Sequence, residues 1–171
     1  DLGRIDDIIP FRKLERLAMA RTGQLLEYAG LARDAGLGAT TARRYLGYLQ
    51  LAHQVLLLPP YARNLTSTVV KTPKLYWADL GLLLRGAPPP EAQRGAVFET
   101  LVTTEAHKWI TTLNRDVELS FYRTRSGLEV DLLVSSLHGL VGIEAKARER
   151  VERSDLRGLR ALAEGAGGSW R

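Results

Sequence analysis

The chain of 171 residues has no cysteine, one methionine and three histidines. Without cysteine there can be no disulfide framework, thiolate zinc site or cysteine nucleophile, so any metal must sit on oxygen or imidazole. His53, His107 and His138 are scattered along the chain and read as surface or core positions rather than as a metal or triad set. No apolar run reaches the about eighteen residues of a membrane span, and no basic start leads into an apolar stretch with a small-residue cleavage site. A cytoplasmic protein is the expectation. The phosphate loop G-x-x-x-x-G-K-[ST] is also missing, so ATP hydrolysis is not assigned to these residues.

Apolar residues make up 45% of the chain, enough for a real core. The net charge of +5 is unevenly spread: residues 1–90 carry 12 Lys/Arg against 7 Asp/Glu, and residues 91–171 carry 12 of each. A basic half beside a neutral one points to an anionic partner, DNA first, with a solvated basic face as the plain alternative. Opening on Asp1 and stopping at GSWR, the sequence reads as a piece of something longer, and a homo-oligomer is left open.

Three prolines, Pro88 to Pro90, can neither continue a helix nor pair in a central strand. They divide the chain into residues 1–87 and 91–171. In the first part Phe11, Leu14, Leu17 and Ala18 recur at helical spacing. A second run places Leu25, Leu26, Ala29, Leu31 and Ala32 inward and stops at Gly36. Thr40 is then the expected cap of a helix with Ala42, Tyr45, Leu46 and Leu49 inside and Arg43, Arg44, Gly47 and Gln50 outside.

A small residue where two helices meet, a glycine four positions later, and a capped helix with a basic N-terminal face make the pattern of a helix-turn-helix. The stretch from His53 to Asp79 reads as two short strands around a polar loop, like a wing, with Lys71 and Lys74 beside it. A winged helix over residues 20–85 is the expectation, with Arg43, Arg44, Lys71 and Lys74 as nucleic-acid contacts. Such side chains bind phosphate without reading sequence, and a protein-docking role is the competing reading. Asp79 is expected to cap the short helix after it.

In the second part Phe98, Leu101, Val102 and Trp109 predict an amphipathic helix over residues 95–110, flanked by Glu99. Gly95, one turn earlier, would let a backbone or a phosphate come close. Three strands follow, from Val117 to Arg123, in LEVDLLV and in LVGIEAK, and DLRGLRALAE returns to helix. The fold class expected is α/β, or α+β over the whole chain. Residues two apart in a strand share a face, so Glu129 pairs with Asp131 and Glu144 with Lys146. A short turn would fold these strands antiparallel and gather carboxylates beside one lysine. Buried without compensation, such a cluster costs several kcal/mol or more, whereas oxygen ligands of this kind suit Mg²⁺ or Mn²⁺. The plain alternative is a solvent-facing pair on a half-exposed strand.

On those residues the second part resembles the PD-(D/E)XK nuclease superfamily: a helix, three strands, a helix and a fourth strand. The resemblance implies Asp131, Glu144 and Lys146 as catalytic residues, with Asp131, Glu144 and Glu99 holding the metal and Lys146 positioning water. Val130 stands where that pattern has a proline. The stretches ARTGQLLEYAGLARDAGLGATTARRYLGYLQ, VLLLPPYARN, VVKTPKLYWADLGLL, GAVFETLVTTEAHK, FYRTRSGLEVDLLV and GIEAKA resemble the C-terminal region of a bacterial and archaeal family of AAA-type ATPases. This implies a winged helix followed by a restriction-endonuclease-like core, with the ATPase domain and its ATP site in a missing N-terminal part. The fourth strand would then begin shortly after Trp170. The expected function is a divalent-metal-dependent DNA endonuclease; the alternative is a regulatory module that keeps a nuclease-like scaffold without catalysis.

Overall fold

A computed structural model describes residues 7–61, 70–85 and 89–166. Asp7 accepts the Ile9 amide at 2.9 Å and starts α1 (Ile8–Ala20), which buries Leu14 and Ala18 at the predicted spacing. The second run is not one helix. Gly23, at φ 75°, turns the chain into β1 (Gln24–Leu25), which pairs with a later strand, and α2 (Tyr28–Ala35) begins only afterwards. That start puts Leu31, Ala32 and Ala35 inside and leaves Ala29 exposed, contrary to the expectation for Ala29.

Gly36 does close the turn in the left-handed region, at φ 74°, and the Leu37 amide bonds the Ala32 carbonyl at 2.9 Å. α3 (Ala39–Leu51) then buries Ala42, Tyr45, Leu46 and Leu49. Its cap is Gly38, not Thr40: the Gly38 carbonyl already accepts the Ala42 amide, so Thr40 lies inside the first turn.

β2 (Val55–Leu58) and β3 (Lys74–Trp77) pair antiparallel, and β1 completes a sheet of order β1-β3-β2. Residues 62–69 of the expected wing loop, and Pro88, lie outside the described residues. Asp79 caps α4 (Leu80–Leu84) as expected, its Oδ1 accepting the Leu82 amide at 3.0 Å.

α5 (Arg94–Thr112) follows a short 3-10 turn and corrects the amphipathic reading. Phe98, Leu101 and Trp109 are exposed, Trp109 by 60%, and the buried positions are Thr100, Thr103, Thr104 and Ile110. Threonine can line a helix interface because its hydroxyl bonds the preceding turn: Thr100 donates to the Ala96 carbonyl at 2.7 Å and Thr104 to that of Thr100 at 2.8 Å. Thr100 also bonds Thr22 at 2.9 Å, and Thr22 accepts the Trp77 amide. The close approach expected at Gly95 falls instead at Gly23, where an added Cβ would stand 3.4 Å from Ala96; Gly95 faces open space.

The second sheet has β4 (Glu118–Arg123), β5 (Glu129–Ser136) and β6 (Gly139–Ile143), antiparallel in that order. Ser120 pairs with Leu133 and Tyr122 with Val130, so Asp131 and Leu132 together stand opposite Phe121 in a bulge. Leu132 accordingly packs with Phe121, while Val130 and Leu133 pack on the opposite side against Leu162. α6 (Arg157–Ala166) supplies Leu162 and lies so close to β5 that a Cβ on Gly158 would stand 1.8 Å from the Glu129 carbonyl oxygen. The strand expected after Trp170 is outside the described residues.

The two sheets are stitched together. Phe121 donates its amide to Pro59 at 3.0 Å and accepts that of Tyr61 at 2.7 Å, and Val70 donates to Arg123 at 2.9 Å. Leu58 and Tyr76 share a core cluster with Phe121 and Leu132. The two parts of the chain therefore meet through backbone hydrogen bonds and a common core. The fold is mixed α/β.

Candidate functional site

Alternation within β3 sends Lys74 and Tyr76 to one side. That side faces α5 and the bulged stretch of β5, where Glu99, Glu129 and Asp131 stand. Lys74 is only 2% exposed, and its ammonium lies 2.7 Å from Glu99 Oε1, pairs closely with Glu129 Oε1, and is 3.9 Å from Asp131 Oδ1. Tyr76 donates its hydroxyl to the same Glu99 oxygen at 2.6 Å. Glu129 also meets Arg123 at 3.2 Å, and the Phe121 ring lies 5.5 Å from the Lys74 nitrogen. Burying an ammonium costs several kcal/mol unless it is paired and hydrogen-bonded; these carboxylates meet that condition.

A second lysine serves the outer edge. β6 ends at Ile143, so Glu144 and Lys146 lie in the extended segment just past the strand, not within it as expected. Lys146 bonds Glu144 Oε1 at 2.6 Å and stands 4.0 Å from Asp131 Oδ2, an oxygen that accepts the Ala145 amide at 2.9 Å. Asp131 thus bridges the two lysines. The other Glu144 oxygen, Oε2, is buried and has no hydrogen-bond partner. Downstream, Asp155 accepts the Glu152 amide and pairs with Arg148, fixing the turn that leads into α6.

The protonation preferences follow from this crowding. Burial is the largest influence on Glu99, Asp131 and Glu144 and raises each carboxyl above its usual value, against the pull of Lys74 on Glu99, of the Ala145 amide on Asp131 and of Lys146 on Glu144. For Lys74 burial works the other way, disfavouring the ammonium, but Glu99 and Glu129 outweigh it and the net shift is upward. Lys146 behaves alike: burial opposes its charge, and Glu144 with Asp131 prevails. Burial, and then the Glu99 charge, push the Tyr76 phenol far up, so it remains a donor.

The structure brings Asp131, Glu144 and Lys146 together as predicted. One other expectation changes. Lys74 is not a surface lysine beside a wing: the strand that carries it is buried at all four positions, so its ammonium cannot reach a phosphate backbone. Glu99 is in the site, where Lys74 and Tyr76 both bond its Oε1 oxygen. Among the described residues, no group of three or more Asp, Glu or His side chains is placed to hold a metal ion. Two carboxylates remain beside Lys146, Asp131 and Glu144, the latter with its Oε2 oxygen unpartnered. Magnesium commonly takes one or two carboxylates and completes its shell with water and phosphate.

Of the remaining candidates, Arg43 and Arg44 are on the exposed side of α3, Arg43 with its guanidinium 4.8 Å from the Tyr28 ring centre, and Lys71 is exposed. His53 and His107 line one cleft of about 620 Å³ between α3, β2 and α5, nearer to each other than their sequence separation implies, and His138 is exposed in the β5–β6 turn. The sequence reading placed Lys74 beside the wing and did not name Tyr76, so it missed both as members of this carboxylate cluster. A signal was present: in KLYW a lysine and a tyrosine two apart alternate with large apolar residues, as on a strand buried on both faces.

This seam joins two recognisable segments. Residues 1–88 match a domain of unknown function, DUF8612, and the chain belongs to that family; residues 94–169 match a second domain of unknown function, DUF4143. The chain is 34% identical over 131 residues to the uncharacterized protein Rv2008c of Mycobacterium tuberculosis and, equally, to the uncharacterized protein Mb2031c of Mycobacterium bovis. The match covers 72% of this chain and 29% of either relative, so the chain spans less than a third of their length. No solved structure matches it. No helix among the described residues is long and apolar enough to cross a membrane.

Proposed function

We propose that this chain is the DNA-acting part of a longer AAA-type ATPase, with a winged helix that docks the duplex and a PD-(D/E)XK-like site that hydrolyses phosphodiester bonds. The convergence of Asp131, Glu144 and Lys146 beside a buried, unpartnered carboxylate oxygen carries the reading. Asp131 and Glu144 would hold Mg²⁺ or Mn²⁺. A divalent ion there supplies charge stabilisation at a phosphoryl oxygen and a more acidic bound water. Lys146 contributes a charged donor at the rim, 32% exposed and therefore able to meet an entering phosphate. The Ala145 amide fixes the Asp131 carboxylate in rotation, so one of its oxygens is committed and the other faces Lys74. Arg43, Arg44 and Lys71 supply positive charge for phosphate contacts that position the duplex without reading bases. The ATPase domain of the full-length protein is the expected partner.

A second reading is favoured by Lys74. With an ammonium already neutralising the inner carboxylates, the nuclease-like sheet would serve as a scaffold for DNA or protein docking, with the chemistry elsewhere in the full-length protein. Incubating plasmid and branched DNA with Mg²⁺ or Mn²⁺ and the wild-type, Asp131→Ala and Lys146→Ala proteins separates the two. Cleavage by wild type alone supports the enzyme. Equal inertness of all three, with DNA binding retained and weakened by Arg43→Ala/Arg44→Ala, supports the scaffold.

A further inference from the structure

The first matched segment, residues 1–88, reaches into the carboxylate site of the second through one side chain. We infer that Lys74 is the resident cation of the inner carboxylates and keeps Glu99 and Glu129 out of divalent-metal ligation, so that the first segment sets how many ions the site of the second can take. The clause about ion number rests on the proposed metal reading of Asp131 and Glu144; the role of Lys74 as internal cation does not.

Three observations carry it independently of any likeness to nucleases. Lys74 is almost sealed from solvent, so its charge serves no external ligand. Its nitrogen contacts Glu99 and Glu129 directly while Asp131 stands at 3.9 Å, which ranks the carboxylates: two are neutralised on the spot and the third is left to be shared with Lys146. Tyr76, from the same strand, adds a donor to the Glu99 oxygen that Lys74 already holds. A carboxylate oxygen with two short donors is a poor metal ligand, because a divalent ion would have to displace a buried ammonium and a phenol from it. The unpartnered Glu144 oxygen lies on the Lys146 side, where no such donors crowd it.

The strand that carries Lys74 is also not free to move alone. β3 is the middle strand of its sheet, and the Gly23 amide bonds the Leu75 carbonyl at 2.7 Å. Any displacement of the first sheet against the second would therefore carry the ammonium with it. Lys74 in this sense is a positioning residue: it acts on the site through Glu99, Glu129 and Asp131 rather than by touching a substrate.

The test is a titration of the 171-residue protein with Mn²⁺, followed by the electron paramagnetic resonance of the free ion, with thermal unfolding measured in parallel. Glu99→Gln and Glu129→Gln are expected to bind Mn²⁺ as wild type does, whereas Glu144→Gln weakens binding by at least about tenfold, the loss that removing even an outer partner of a metal ligand brings. Lys74→Met is expected to take one more ion per chain than wild type and to be stabilised by Mn²⁺ more than wild type is. Weakening by Glu99→Gln as severe as by Glu144→Gln would overturn the inference. So would a Lys74→Met protein that takes no additional ion, or one that fails to fold with Mn²⁺ as well as without it. Absence of any binding to wild type defeats the metal reading of Asp131 and Glu144, and the gain or lack of gain in Lys74→Met then decides the role of Lys74 by itself.

Discussion

Lys74 and Lys146 are the same residue type in the same site, each within hydrogen-bond reach of a glutamate and about 4 Å from Asp131, yet their surroundings give them opposite roles. Lys74 is sealed inside, comes from the first sheet and is gripped by two carboxylates. Lys146 is 32% exposed, comes from the extended segment after β6 and holds one. A charge without water must be matched where it stands, so the inner lysine is part of the core; a charge at the rim retains the freedom to meet a ligand. Position in the fold, more than the residue type, decides how far each charge is open to solvent.

Neutral variants of the two lysines give the sharpest contrast. Lys74→Met removes the only cation in direct contact with Glu99 among the described residues and leaves that carboxylate buried beside Asp131. Breaking one partner of a buried pair costs about 3–5 kcal/mol. Lys146→Met removes a partner that is itself partly solvated, so a smaller loss is expected. Urea unfolding of both proteins in metal-free buffer should reproduce that order, and equal losses would erase the distinction between an inner and an outer lysine.

A smaller effect is expected at Gly158, which touches neither lysine but sets the position of one of their carboxylates. A methyl group there would meet the Glu129 carbonyl oxygen at 1.8 Å, so Gly158→Ala forces α6 away from β5. Overpacking of this kind costs about 1–3 kcal/mol. Because the strained contact is with the backbone of Glu129, the variant should lose stability through the Lys74 side of the site. In combination with Lys74→Met the two losses should fall short of their sum, as for contacting residues. Strict additivity in a double-mutant cycle would mean that α6 and the Lys74 cluster are independent.

The same contrast explains what the sequence made legible. The helix pair around the left-handed Gly36 and the Asp79 cap could be read because each rests on local spacing, and the meeting of Asp131 with Glu144 and Lys146 followed from the expected antiparallel hairpin. α5 could not: its buried side is threonine, satisfied by carbonyls one turn back, and its large apolar residues face outward, so hydrophobic period pointed to the wrong face. Nor could the seam. Lys74 lies 25 residues from Glu99 and 57 from Asp131, and nothing local announces that β2 continues alongside β4 and carries its partner strand into the site. The bulge at Asp131 and Leu132 is invisible for a related reason: strict alternation would have sent Leu132 to the α6 side.

The least conspicuous prediction concerns pH, and it tests whether the inner lysine and its carboxylates form one unit. Lys74 is raised above the usual lysine value of 10.5, so its contribution to stability is fully present below that value and is lost as pH rises through the higher folded value. The stability gap between wild type and Lys74→Met should therefore narrow above pH 10.5, because wild type gives up what the variant never had. Glu99 is shifted upward from the usual 4.5, so the folded state binds its proton more tightly than the unfolded chain does, and stability from this group increases as pH falls through the folded value toward 4.5. Loss of the ammonium that pulls Glu99 down exaggerates this shift in Lys74→Met, which then recovers stability on acidification faster than wild type. The gap should close from both sides and be widest between the two limbs. Urea midpoints of the two proteins from pH 5 to 11 measure it directly; a gap that stays constant across the range would mean that the charge on Lys74 contributes nothing and that only its packing matters.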